Sequence, residues 1–259
     1  PRERPVGRPC KGAAKRPISR QFRMAYVGAV TIHDANGEAL RTIRYGCMPQ
    51  GDPAALANAM ANDIYHLVRS RPSLKVSLLA DGAPEMWTLL EGEINEETIG
   101  KAVKSLIDFW HVIEKLMPAA KVIYGDGAGN TLTNWKDALR ARSGAAKEIL
   151  AELKASGCEH TFLESKQPVH DAITYLRHNA DDRMNYASAL RNGLPIGSGN
   201  TEATCKTLVA VRMKRAGSRW KETTGEHILR LRAWAQSDRW NDAMERLLAT
   251  QRTSVRRAG

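Results

Sequence analysis

Three carboxylates stand where chemistry is easiest to build. Asp81 closes the apolar stretch "SLKVSLLA" and is followed at once by Gly82, so it falls at the carboxyl end of an expected strand. That edge is where α/β sheets place their ligands, although an Asp-Gly pair is also an ordinary turn and helix cap. Asp108 repeats the arrangement after "KAVKSLI", with His111 one helical turn further on. Two strand-end carboxylates on neighbouring parallel strands can share a divalent metal; the competing reading is an Asp N-cap beside a partly buried His. Glu202 lies in "LPIGSGNTEATCK", at the third position after Gly199. Cys205, Leu208, Val209 and Met213 follow at helical spacing, and counting back from them puts Glu202 on the inward side of the helix. A solvent-facing Glu202 would instead serve the helix dipole.

Other chemistries fail on residue type. A phosphate loop of the Walker A kind needs Gly-Lys-Ser/Thr at its end, whereas Lys206-Thr207 follows Cys205. A dinucleotide fingerprint needs a third Gly where Glu202 stands, and a strand before it, which "YASALRNGLP" does not resemble. "GDGAG" at 125–129 lacks that context too and reads as a loop. Cys10, Cys47, Cys158 and Cys205 form no C-x-x-C pair, so neither a disulfide framework nor a zinc site is indicated. Cys158 and His160 are the one close Cys/His pair, and two ligands do not make a site.

Charge points to a partner. Lys and Arg number 39 against 28 Asp and Glu, a net +11, which favours a polyanion such as nucleic acid. The excess is concentrated after Glu202, where Lys206, Arg212, Lys214, Arg215, Arg219 and Lys221 can follow a phosphate backbone and Trp220 can stack or pack. A solvated helix face is the plainer account of such a run. No apolar stretch approaches the ~20 residues of a membrane span, and the first residues are too polar for a secretory signal. An intracellular protein is expected.

The elements that must position these groups are legible in outline. Residues 1–21 read as a basic, Pro-rich linker or arm. From residue 22 two β-rich stretches flank "DANG", predicting a hairpin that turns near Asn36-Gly37. Asp52 and Pro53 then open an amphipathic helix on Leu56, Met60, Ile64 and Leu67, ending at Ser70-Arg71-Pro72. A strand over 74–80 leads to a helix from about Pro84. "KAVKSLIDFWHVIEKL" reads as a strand ending at Asp108 and passing into a helix, or as helix throughout. The order is that of a mixed α/β layer with its later strands parallel. After residue 124 the pattern is helix upon helix, to the basic tail "QRTSVRRAG".

At this point "LLADGAPEMW", "IDFWHVIEKL" and "GLPIGSGNTEATCKTLVAVRMKRAGSRW" together resemble the bacterial insertion-sequence transposases of the DDE class, in their Mutator-like branch. The resemblance runs from about residue 22 onward. Its most specific element is the Gly-Ser-Gly…Glu…Arg-Met-Lys…Gly…Arg-Trp pattern. It implies an RNase H-like fold, a mixed sheet flanked by helices and interrupted by an all-helical insertion. The core would comprise 22–123, the insertion 124–195, and a core helix with a basic helical region 196–259. Asp81 matches the family's second catalytic Asp and Glu202 its third acid, both metal ligands. Asp108 and His111 look like its Cys/Asp-x-x-His signature, a supporting site or an alternative second carboxylate. Two Mg²⁺ or Mn²⁺ ions roughly 3.5–4 Å apart would then drive phosphoryl transfer on DNA. The resemblance also implies a homo-oligomer on transposon ends and target DNA, in the cytoplasm with the nucleoid. The family's first Asp has no match here, so the chain reads as a fragment that begins after the first catalytic strand and is inactive alone. An RNase H-like nuclease or resolvase without strand transfer, and a non-catalytic DNA-binding remnant, are the alternatives.

Overall fold

The computed structural model describes residues 23–157, 164–180, 182–216 and 218–257. The expected arm over 1–21, Cys10, and the pair Cys158 and His160 lie outside the described residues.

Strands β1 (Tyr26–His33) and β2 (Ala39–Cys47) form the antiparallel hairpin. Its turn is held by Asp34, whose carboxylate accepts from the backbone N–H of Asn36 and Glu38 at 2.9 and 2.8 Å. Helix α1 (Pro53–Ser70) starts as its sequence predicts, with the Asp52 side chain accepting from Ala55 N at 3.0 Å and Pro53 in the first turn. It buries Ala57, Met60, Ala61 and Val68 and lies across the hairpin. Strand β3 (Val76–Ala80) is followed by α2 (Pro84–Glu93) and the short α3 (Glu96–Ile99). Strand β4 (Val103–Ile107) then gives way to α4 (Phe109–Tyr124), so the "strand into helix" alternative is the one that forms.

The β3 and β4 strands are parallel, with Ala80 opposite Ile107, so Asp81 and Asp108 follow matched positions. One mixed sheet was the expectation; the described strands instead form two separate sheets of two strands each. A sequence pattern reports which residues want a strand, and says little about which strands pair.

Helices α5 (Ala128–Ala141), α6 (Ala145–Ala155), α7 (Gln167–Asn179) and α8 (Tyr186–Arg191) follow. The "GDGAG" loop is shorter than expected: one 3₁₀ turn over Gly125–Gly127 re-aims the chain and helix resumes at Ala128. Burial of Ala128, Trp135 and Leu139 outweighs the ~1 kcal/mol a helical glycine costs. This helical layer is not a separate body. Val30 and Ile43 of the hairpin, Ile107 of β4, and Leu139, Ile149 and Leu176 of the layer belong to one hydrophobic core.

Beyond residue 196 the chain is helical again: α9 (Gly199–Thr204), a π-helical stretch Cys205–Ala210, α10 (Val211–Met213), α11 (Glu222–Ala235) and α12 (Trp240–Arg257). The expected basic tail is thus helical through Arg257. Helix α11 packs on β2 around a small second core of Leu208, Leu229 and Ala233. Past its end Arg239 clamps Asp63 of α1 with two bonds of 2.7 Å, and the Tyr45 hydroxyl donates to the same carboxylate. No helix of the described residues is long and apolar enough to cross a membrane.

Candidate active site at the strand ends

Asp108 is the centre of the arrangement. It is 4 % exposed, and both carboxylate oxygens are engaged. Oδ1 accepts from His111 N at 2.8 Å, the N-cap bond of α4, and Oδ2 accepts from Ser198 N. Its backbone N–H donates to Ala80 O at 2.9 Å, and Phe109 N donates to Ile196 O at 2.9 Å. The Gly-Ser-Gly loop is thereby fastened to the carboxyl end of β4. The fit is close: a Cβ on Gly197 would stand 3.2 Å from Cδ1 of Trp110. Ser198 O in turn accepts from Glu202 N at 3.2 Å in the first turn of α9. One run of hydrogen bonds therefore leads from the end of β3, through Asp108, to the turn that bears Glu202.

Asp81 stands exposed at the same strand end, its Oδ1 accepting from Ala83 N at 3.2 Å in a tight turn. Gly82 is required there, because a Cβ would lie 2.8 Å from Cε2 and 3.0 Å from Oη of Tyr175 on α7. Burial, with Asp81 and then Asp108 nearby, raises the Tyr175 hydroxyl far above the ordinary phenol range, so it stays protonated. Its Oη is buried without a hydrogen-bond partner. Tyr186 is held neutral in the same way, by burial and then by Tyr175 and Asp108. His111 meets the Tyr175 ring edge-on at 6.1 Å and lies 3.9 Å from Glu114.

Glu202 corrects the sequence expectation. It is exposed, as is Cys205, while Thr204 and Leu208 turn inward. The cause is the residue counted from: Thr204, one α-helical turn before Leu208, is buried, whereas Cys205, on which the expected inward face was drawn, is exposed and heads the π stretch Cys205–Ala210. The carbonyls of Thr207 and Leu208 that this winding leaves available accept from Arg232 of α11, the Leu208 bond measuring 3.2 Å. Burial and then the Glu202 charge raise the Cys205 thiol above its usual value.

The basic segment sits just beyond. Lys206, Arg212, Lys214, Arg215, Arg219 and Lys221 are exposed, and Trp220 is half-buried. The Arg212 guanidinium lies 5.4 Å from the Trp220 ring centre, a cation–π pair between an exposed charge and a half-buried ring.

Carboxylates are the right donors for Mg²⁺ or Mn²⁺. Their number is not: among the described residues no group of three or more His, Cys, Asp or Glu is placed to hold a metal. Asp108 is buried and already accepts two backbone N–H bonds, so Asp81 and Glu202 are the acids open to solvent. The residues described do not by themselves fit a two-metal centre. Tyr175, Tyr186 and Trp110, which is 50 % exposed beside the loop, are members of this site that the sequence did not mark. The "DFWH" run names Trp110 without saying where it faces, and only the packing of α7 on α4 brings Tyr175 in.

Compared with protein families, curated proteins and solved structures, this chain matches none.

Proposed function

We propose that this chain is the DNA-handling and acid-bearing part of a transposase of the DDE type, acting in metal-dependent DNA strand cleavage and strand transfer as an oligomer on DNA. The observation that supports it most is the hydrogen-bonded run from the end of β3 through Asp108 to Ser198, which draws the Asp81 and Glu202 segments to one strand end. Asp81 and Glu202 are the metal ligands in this reading. Asp108, with His111, positions the loop between them. The chain's own residues hold the strand: Lys206, Arg212, Lys214, Arg215, Arg219 and Lys221 take phosphates, and Trp220 offers a stacking face.

A complete centre of this class needs a further acid beside Asp81 and Glu202. The purified 259-residue chain is therefore expected to bind DNA and to cut it poorly. Fluorescence anisotropy with labelled duplex across a salt series tests the first part. Neutralising Arg212 and Lys214 together should reduce the slope of log K against log salt by about 2, one per lost phosphate contact. Robust Mg²⁺-dependent cutting that disappears in Asp81→Ala would overturn the claim of incompleteness. A second reading, DNA binding without catalysis, draws on the exposure of Glu202 at a helix start. It predicts binding indifferent to Mg²⁺ and to both acids.

A further inference from the structure

We propose that the cleft between α2 and α7 holds one unpaired nucleotide of a DNA strand lying against Asp81; this rests on the DNA reading above and names the form of substrate it takes. The cleft measures about 770 Å³, inside the ~300–1,000 Å³ range of small-ligand sites. Gly82 forms part of its wall, so its occupant is one residue from Asp81. A nucleotide bound there brings its neighbouring phosphodiester over the strand end.

The lining suits a base and its phosphate. Tyr175 supplies aromatic surface, and Trp87, 4 % exposed, backs the wall beneath the Arg183 guanidinium at 4.8 Å. Arg183 also bonds Glu91 at 3.0 Å, and Asp171 accepts from Gln167 at 2.7 Å, so the two acids of the cleft are already engaged. Trp87 Nε1 and Tyr175 Oη, on two residues of the cleft wall, are buried without a hydrogen-bond partner and have almost no surface open to the cleft, so an occupant meets the Tyr175 ring rather than these donors. Exposed Lys115 and His178 stand at the cleft for the phosphate. A base inside a duplex cannot enter such a space; one that is unpaired or turned out of the stack can.

The test is binding of a labelled short oligothymidylate to the full chain in EDTA, with a duplex of equal length as the comparator. Thr174→Trp fills the cleft and should weaken single-strand binding about tenfold or more, while duplex binding stays within about twofold. Should thermal melting show that variant unfolded, Lys115→Ala combined with His178→Ala reads the same loss. Single-strand affinity unchanged in the folded variants would overturn the proposal, as would an equal loss for duplex. Absence of all DNA binding by the wild type would sink the underlying DNA reading too. Loss of the cleft claim alone leaves Asp81 and Glu202 untouched.

Discussion

Asp108 at the head of α4 and Glu202 in the first turn of α9 are both carboxylates at helix starts, joined through Ser198, yet they live in opposite surroundings. Asp108 is buried with both oxygens accepting backbone N–H bonds; Glu202 is exposed, with no hydrogen bond from its side chain among the described residues. Burial and full satisfaction make a carboxylate a structural clamp. Exposure beside a clamped loop leaves one available to a ligand. The same contrast separates Asp108 from Asp81, its counterpart on the neighbouring strand. The strand-end acids thus differ in what they are free to do: Asp108 is committed to the backbone and Asp81 is open to solvent.

The largest effect should come from breaking the clamp. Asp108→Ala strands the half-buried N–H groups of His111 and Ser198, each worth about 1–3 kcal/mol, so urea denaturation should show a loss of about 2–6 kcal/mol. Asp81→Asn, at an exposed turn, should stay within about 0.5 kcal/mol of wild type. Equal losses in the two variants would erase the distinction. Next comes the close approach on the exposed side. Gly82→Ala pushes a Cβ into the Tyr175 ring and should cost about 1–3 kcal/mol, with the near-ultraviolet tyrosine signal changed. A neutral result would mean that Tyr175 is not held against the Asp81 turn.

A smaller effect comes from pH. Burial pushes the Asp63 carboxyl up, but the Arg239 hydrogen bonds, the Tyr45 hydroxyl and the Arg239 charge together bring it below its ordinary value. A carboxylate lowered on folding contributes stability above its unfolded pKa of about 4, and that contribution fades as pH falls through the folded value. Stability measured downward from about pH 5 should therefore decline, and Arg239→Ala should flatten the decline while costing about 1–2 kcal/mol at neutral pH. An undiminished acid slope in that variant would assign the decline to other carboxylates.

Much of the scaffold was legible because its signals are local. The hairpin turn near Asn36-Gly37 and the Asp52-Pro53 helix start each depend on residues within one turn of one another, whereas the stretch before Asp108 reads equally as strand or helix and its pairing with β3 decides between them. The partition into two sheets and the approach of Tyr175 to Gly82 depend on packing between distant segments, which periodicity does not carry. The orientation of Glu202 was misread for a different reason. A helix forms there as expected, but the inward face runs through Thr204 and Leu208 rather than through Cys205, which is apolar enough to read as core and yet is exposed. Asp108 and Glu202 look alike in sequence because both are acids followed by helical residues; burial tells them apart.

The central claim is that the two exposed acids, Asp81 and Glu202, serve one divalent ion. It is tested most directly by Mn²⁺ titration of the full chain, followed by electron paramagnetic resonance, in wild type, Asp81→Asn, Glu202→Gln and the double variant. A shared ion predicts that each single change weakens binding about tenfold or more and that the double variant is little worse than either, as residues acting on one site are non-additive. Mn²⁺ affinity unchanged by both single variants would contradict the account and leave Glu202 as a helix-start charge.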